Sequence, residues 1–231
     1  MAKGRATARM RWLAVALLLV LAGAGAAWWK GRTWTPSRHD FPVQGVWLSE
    51  GEGAVEWPLL KGEGADFVYF TASGSSELRD NKFGAALAEA EKHGLKVGAV
   101  HMFDLCAPAE RQAANFVTIV PRDPELLPPA VRLDLDLATC KTLPDDAALQ
   151  SELTTFLNQI ERHSEKPALL LVASAFEKRY HAAALIERNI WVEGSFLMPG
   201  YAGRPWVLWT ANRALRTAAV DAPVQWVVVR P

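Results

Sequence analysis

The chain has few of the residue types and spacings that most often identify a catalytic site. It contains only 2 cysteines and 5 histidines in 231 residues, and no spacing of His, Cys, Asp and Glu suggests a metal site. No nucleophile elbow, phosphate-binding loop, internal repeat or low-complexity tract occurs. Basic and acidic residues balance at 25 each, so the net charge gives no reason to expect nucleic acid. The sequence therefore predicts no metal, no cofactor and no nucleic-acid partner.

The N-terminus has the pattern of a membrane-targeting segment. Residues 1–11 carry basic side chains and no acid, and residues 12–29 are uncharged and mostly apolar, with Trp12 and Trp29 at the ends. This length and charge order predict a single-pass signal anchor in the inner (cytoplasmic) membrane, with residues 1–11 cytoplasmic. A cleaved signal peptide is the alternative, because small residues at 22–26 offer cleavage sites. Residues 30–40 form a predicted linker to a domain over 41–231, expected to be periplasmic or otherwise extracytoplasmic.

The two cysteines, Cys106 and Cys140, follow two successive predicted strands. In an oxidising compartment an even pair indicates a disulfide. Such a bridge would join two neighbouring loops at one end of the domain. Two unpaired buried thiols are the alternative.

The domain alternates predicted strands and helices. The strands are predicted over residues 42–49, 66–72, 96–103, 127–137, 168–173, 190–192, 206–209 and 225–229. Helical periodicity predicts a short turn at 55–61 and helices over 82–93, 107–120, 145–163 and 176–187. Eight strands, with helices mainly in the first five connections, predict an α/β fold that is an irregular eight-stranded β/α (TIM-like) barrel.

The strand over 127–137 is the main candidate for chemistry. After Pro128-Pro129 it alternates strictly, with apolar residues on one face and Arg132, Asp134 and Asp136 on the other. A solvent-exposed surface strand would explain the polar face, but the neighbouring segments are typical of parallel strands covered on both sides. Carboxylates near the carboxyl end of such a strand lie where barrel active sites are built. Paired carboxylates are typical of glycoside hydrolysis.

A collinear series of short motifs runs along the whole domain. It comprises Gly45, Ser49, Trp57, Asp66-Phe67-Val68-Tyr69, Asp80, Phe83, Gly94-Leu95-Lys96-Val97-Gly98-Ala99, His101, Phe103, Gln112-Ala113-Ala114-Asn115-Phe116, Leu127-Pro128-Pro129, the aspartate strand, Lys166-Pro167, Trp191, Trp206 and Leu208-Trp209. In this order the motifs resemble glycoside hydrolase family 25, the N,O-diacetylmuramidases or lysozymes. The resemblance implies an irregular β/α barrel and the peptidoglycan glycan strand as the partner.

The resemblance fails at the acidic positions of the family. Where the family has Gly-x-Asp-x-Ser, this chain has Trp47, and Gln225 replaces the acid of the family's closing Val-Asp-x-Asn. The family's central strand carries Asp-x-Glu with the glutamate as general acid. Alignment on the strand pattern places Asp134 and Asp136 at these positions, whereas alignment without a gap from Pro129 places Arg132 and Asp134 there. Neither register supplies a glutamate.

These residues give the candidate site of a divergent family member. The resemblance implies Asp136 as the acid, assisted by Asp134. Flat side chains that could stack on sugar rings are Trp47, Tyr69, Trp191 and Trp209, with core packing as the alternative for each. His101 either lines the cleft or is a hydrogen-bonded structural histidine. Glu50 and Glu52 could act as displaced acids, although a solvated glycine-rich loop is the simpler account.

Two hypotheses about function follow. The first is a membrane-anchored muramidase that cuts β-1,4 bonds between MurNAc and GlcNAc, impaired by the missing acids. The second is a non-catalytic pseudo-lysozyme that binds cell-wall glycan or a protein partner. A fold kept for protein contacts alone would show no glycan binding.

Overall fold

The computed structural model of the chain describes residues 2–49, 53–136 and 140–231. It contains two compact units, one ending at Trp34 and the other covering Thr35–Pro231. The first unit is helix α1 (Ala2–Arg32), which has no acid in its first turn and Lys30 and Arg32 in its last. Within the part of the chain that the structure describes, no helix meets the length and apolar content needed to span a membrane. Residues 12–29 lie within helix α1. Their prediction as a membrane span is not supported.

The second unit is a closed barrel. Its strands are β1 (Gln44–Leu48), β2 (Phe67–Gly74), β3 (Leu78–Arg79), β4 (Lys96–Met102), β5 (Ala130–Leu133), β6 (Leu169–Val172), β7 (Asn189–Glu193), β8 (Leu208–Leu215) and β9 (Val224–Val229). Its helices are α2 (Trp57–Gly62), α3 (Phe83–Lys92), α4 (Ala109–Ile119), α5 (Asp146–Ser164), α6 (Ser174–Tyr180) and α7 (Ala182–Leu185).

Eight of these strands close the barrel in the order β1-β9-β8-β7-β6-β5-β4-β2, and β2 pairs with β1 to complete it. The pairings are parallel except those of β9, which is antiparallel to both β1 and β8. The two-residue β3 is added antiparallel to β2. The predicted irregular eight-stranded β/α barrel is confirmed, with the antiparallel β9 as its main irregularity.

Large side chains fill the barrel interior instead of leaving a pore. The buried core cluster consists of Trp47, Phe67, Tyr69, Val100, Ala130, Leu169, Leu171, Trp191, Leu208 and Val227. Gly98 leaves room for this packing, because a Cβ at that position would lie 2.2 Å from the Tyr69 ring. Close packing of this kind makes the barrel interior a rigid support for the loops at the carboxyl end of the strands.

Three elements differ from the sequence-based prediction. Strand β5 ends at Leu133 instead of running to 137, because the Leu135 N–H donates to the Asp134 carboxylate (2.8 Å) and the strand ladder stops there. The helix predicted over 176–187 is two short helices, since His181 between them has left-handed backbone (φ 51°). Strand β8 continues to Leu215. Residue 137, predicted to end β5, lies outside the described residues.

The predicted disulfide is confirmed. Cys106 and Cys140 are bonded, with their Cα atoms 5.3 Å apart. Cys106 follows β4 and Cys140 follows β5, so the bond joins two neighbouring loops at the carboxyl end of the barrel.

Candidate active site

A groove opens at the carboxyl ends of β2, β4 and β5, where active sites of β/α barrels are built. Its volume is about 580 Å³. The lining residues are Gly74, Ser75, Leu78, Met102, Phe103, Asp104, Leu105, Arg132, Asp134, Leu135 and Asp136. The groove therefore contains both predicted catalytic aspartates together with the arginine that precedes them.

Arg132 points into the barrel mouth and bridges two carboxylates. Its Nη2 lies 2.8 Å from Asp134 Oδ2 and 3.3 Å from Glu193 Oε2. Its guanidinium carbon lies 5.5 Å from the centroid of the Trp47 ring, a cation–π distance. Only 17% of the Arg132 side chain is exposed. A largely buried cation therefore lines the groove at the mouth of the barrel.

Asp134 and Asp136 both reach the groove but in different settings. Asp134 follows the last residue of β5 and is held by Arg132, whereas Asp136 lies in the loop and is exposed. Strand β5 ends at Leu133, so Asp134 follows it directly and stays on the inner side with Arg132, to which it is ion-paired. Asp136 lies beyond the strand, where the two-residue alternation no longer applies. This geometry favours the ungapped register, in which Arg132 and Asp134 occupy the family's two acidic positions.

Glu193 is a site residue that the sequence-based reasoning missed. It ends β7 two residues after Trp191, so both side chains face the barrel interior. Its side chain is 6% exposed and contacts Arg132. Tyr201 fixes this strand end, since its hydroxyl donates to the Val172 carbonyl and accepts from the Glu193 N–H (2.6 and 2.7 Å). The available signal was the alternation of Trp191 and Glu193 at the end of a buried strand.

Three predicted sugar-binding aromatics lie beneath the groove, in the core. The Trp47 and Trp191 rings are 5.8 Å apart, edge to face. Their indole N–H groups donate to Thr71 (3.0 Å) and Thr210 (2.9 Å). Tyr69 donates to the Pro128 carbonyl (3.0 Å), and burial raises the pKa of its phenol. These side chains are buried and do not line the groove.

His101 and Trp209 face the helices and the outer surface of the sheet. Ser73 Oγ lies 2.9 Å from Nδ1 of His101, and Gln112 Oε1 lies 3.2 Å from Nε2. The ring packs against Phe156 at 4.6 Å, and burial lowers the pKa of His101 to about 4. Trp209 is 3% exposed and packs edge-on against Phe41. The structure does not bring either residue to the groove.

The two remaining departures from the family motif are paired across the sheet. Trp47 in β1 is in register with Gln225 in β9. An indole, an amide and the Arg132 guanidinium thus occupy the positions where the family resemblance implies acids, and of the three only Arg132 lines the groove. The candidate displaced acids Glu50 and Glu52 lie outside the described residues. Among the residues that the structure does describe, no group of three or more His, Cys, Asp or Glu side chains could hold a metal ion.

Comparison with known proteins agrees with this fold. The family model "Glycosyl hydrolases family 25" matches residues 46–209. A family 25 glycosyl hydrolase from Bacillus anthracis superposes with a TM-score of 0.77 at 22% identity, covering 87% of this chain and 93% of that one. A lysozyme from Streptomyces coelicolor gives a TM-score of 0.72 at 19% identity, covering 82% and 92%.

The chain also matches the curated Lysozyme M1 of Streptomyces globisporus, at 32% identity over 59 residues. That stretch is 26% of this chain and 20% of the lysozyme, so the chain spans about a fifth of that relative. The family match, in contrast, runs from strand β1 to strand β8 and includes the groove and the aromatic core. On that evidence the chain belongs to family 25 of the glycosyl hydrolases.

Proposed function

We propose that this domain binds the glycan strand of peptidoglycan in the groove at the carboxyl end of the barrel and hydrolyses it very slowly or not at all. Membership of a lysozyme family supports the substrate class. The position of the groove supports the binding site, because barrel enzymes of this kind bind substrate at the carboxyl ends of their strands.

The observation that carries the proposal is the placement of Arg132. A general acid must hold a proton near neutral pH, and a neighbouring cation favours the ionised carboxylate instead. Arg132 contacts Asp134 and Glu193 with the same nitrogen, so both carboxylates are engaged in ion pairs with one cation. Because Arg132 lines the groove, its charge would also repel the positive charge that develops on a bound sugar in an oxocarbenium-like transition state.

Geometry opposes catalysis as well. Aspartate is one methylene shorter than the glutamate of the family motif, a shortfall of about 1 Å, and a misplacement of that size can reduce the rate about a hundredfold. Trp47 and Gln225 remove the other acidic groups that could stabilise the transition state. Two of the carboxylates that remain there, Asp134 and Glu193, are both ion-paired to Arg132.

The experiment separates binding from cutting. The full-length chain is incubated with peptidoglycan sacculi, and both co-sedimentation and the release of reducing ends are measured. We expect co-sedimentation, with reducing ends released at least about a hundredfold more slowly than by a family 25 lysozyme with intact motifs. Release at a comparable rate that is lost in Asp134→Asn or in Asp136→Asn would show that the domain is a working muramidase. Absence of co-sedimentation would refute glycan binding.

A reversal variant sharpens the same test. Trp47→Asp, Arg132→Asp and Asp134→Glu together restore the opening acid and the central Asp-x-Glu of the family in the ungapped register, and leave Gln225 in place. We expect this variant to release reducing ends faster than the wild type while still sedimenting with sacculi. Retained sedimentation serves as the control for folding.

We also propose that the domain works outside the cytoplasm. The Cys106–Cys140 disulfide supports this, because such bonds persist in oxidising compartments. The basic segment 1–11 followed by apolar residues 12–29 supports an N-terminal inner-membrane anchor or its alternative, a cleaved signal. N-terminal sequencing of the protein from fractionated cells distinguishes the two.

A further inference from the structure

The groove carries more negative than positive charge. Three of its lining residues are aspartates, Asp104, Asp134 and Asp136, and one is basic, Arg132. Arg132 is already shared between Asp134 and Glu193, so its charge is offset by two carboxylates. A neutral N-acetylated sugar can use these carboxylates only as hydrogen-bond acceptors, whereas a cationic ligand is also attracted by their charge.

Glu193 provides a second and independent indication. Its side chain is 94% buried, as 6% is exposed, and it projects from the inner face of β7 to Arg132 on the groove lining. Its Oε1 is buried and has no hydrogen-bond donor among the described residues. Buried carboxylate oxygens are normally satisfied, and an unpaired one is costly. Glu193 does not itself line the groove, but its buried carboxylate lies against Arg132, so the groove wall is more acidic than the lining residues alone indicate.

The rest of the lining suits the body of a sugar. Leu78, Met102, Leu105 and Leu135 supply apolar walls, against which the C–H faces of a pyranose can pack. The volume of about 580 Å³ is within the usual range for small-ligand sites. The groove therefore combines acidic groups with apolar walls, which is complementary to a ring that carries a cation.

We propose that the groove prefers an amino sugar with a free primary ammonium group, a glucosamine unit of the glycan strand that has lost its acetyl group. This inference rests on the proposed binding of cell-wall glycan and specifies the form of glycan that is bound. An ammonium group offers three donors and a positive charge, whereas the acetamide of an N-acetylated unit offers one N–H and no charge.

The test compares two oligosaccharides that differ only in acetylation. Binding of glucosamine tetrasaccharide and of N-acetylglucosamine tetrasaccharide to the full-length chain is measured by calorimetry at low and at high salt. We expect the glucosamine form to bind at least about tenfold tighter, with the preference reduced at high salt. Asp136→Asn and Asp134→Asn should each weaken glucosamine binding by about threefold to fivefold and should lower the preference for glucosamine over N-acetylglucosamine.

The matched control is Asp40→Asn, an exposed aspartate that precedes β1 at the opposite end of the barrel. It should bind like the wild type. Equal affinity for the two tetrasaccharides, or glucosamine binding that is unaffected by both groove variants, would overturn the inference. Such a result leaves the proposed function intact as long as the chain still sediments with acetylated sacculi. Failure to sediment refutes the proposed function itself.

Discussion

The two ends of the barrel each have a groove with a partly buried arginine–carboxylate contact, but the contacts differ in kind. At the amino end the groove is about 700 Å³ and is lined by Glu161, Glu165, Lys166, Pro167, Glu187, Arg188, Asn189 and Arg204. There Arg188 and Glu161 form a two-pronged pair, with Nε–Oε1 at 2.5 Å and Nη2–Oε2 at 2.8 Å. At the carboxyl end a single nitrogen of Arg132 serves two carboxylates, and Arg132 Nε and Glu193 Oε1 have no partner among the described residues.

The difference shows that groove size alone does not identify a site. Glu161 also accepts the Ala168 N–H (2.8 Å), so this carboxylate fastens helix α5 to the start of β6. Its hydrogen bond raises the pKa of the Arg188 guanidinium. A fully satisfied fork of this type is structural. In the ion pair at the carboxyl end, by contrast, both partners keep an unsatisfied atom, Arg132 Nε and Glu193 Oε1. At the amino end the unsatisfied atom is Arg204 Nε, which lies outside the fork. Unsatisfied atoms within an ion pair are costly in a purely structural cluster.

The largest expected effect comes from removing the disulfide that joins two loops at the carboxyl end of the barrel. Replacing both Cys106 and Cys140 by serine should lower the free energy of unfolding by about 3 to 4 kcal/mol, because the bond closes a loop with a sequence separation of 34. Urea unfolding of the oxidised wild type and the double variant measures this. Wild type in reductant should unfold like the variant, and a loss below about 1 kcal/mol would show that the loops are held by other contacts.

The second prediction concerns how the stability of the domain changes at acid pH. His101 has an ordinary pKa of 6.5 that burial lowers to about 4 in the folded chain. Between these values the unfolded chain binds a proton that the folded chain does not. The stabilising contribution of neutral His101 is therefore complete above pH 6.5 and is lost as the pH falls to 4, by about 3 kcal/mol.

Urea unfolding from pH 7 to pH 4 checks this contribution. His101→Gln should be less stable than the wild type at pH 7 and should lose less stability across that range. His39→Gln is the control, because the His39 side chain is 94% exposed. Parallel pH profiles for wild type and His101→Gln would contradict the prediction.

Much of this fold could be predicted from sequence because local patterns determine it. The alternation of 127–137 located β5 and its polar inner face, and two cysteines after successive strands located the disulfide. The sequence could not predict which side of the sheet the His101 and Trp209 side chains lie on. Strands that are buried on both sides show no periodicity that distinguishes the barrel interior from the surrounding helices. The contact of Arg132 with Glu193, 61 residues apart, depends on barrel closure, which no local pattern reveals.

The smallest effect on stability, and the sharpest test of the comparison, comes from matched substitutions of the two glutamates. Glu161→Gln should lower the free energy of unfolding by about 2 kcal/mol, because it leaves Arg188 in a half-buried place without its carboxylate. Glu193→Gln should cost about 1 kcal/mol or less, because Arg132 keeps Asp134 and the carboxylate that is removed has one oxygen without a donor.

Binding should show the reverse order. Glu193→Gln should weaken glucosamine tetrasaccharide binding by about fivefold, whereas Glu161→Gln should leave it unchanged, because Glu161 lies at the other end of the barrel. Chemical unfolding and calorimetry on the same two proteins supply both measurements. If the two variants lose stability equally and neither changes binding, then Arg132 and Glu193 form a structural pair like Arg188 and Glu161. The unsatisfied atoms at the mouth would then be a cost of replacing the family's acids and not a mark of a ligand site.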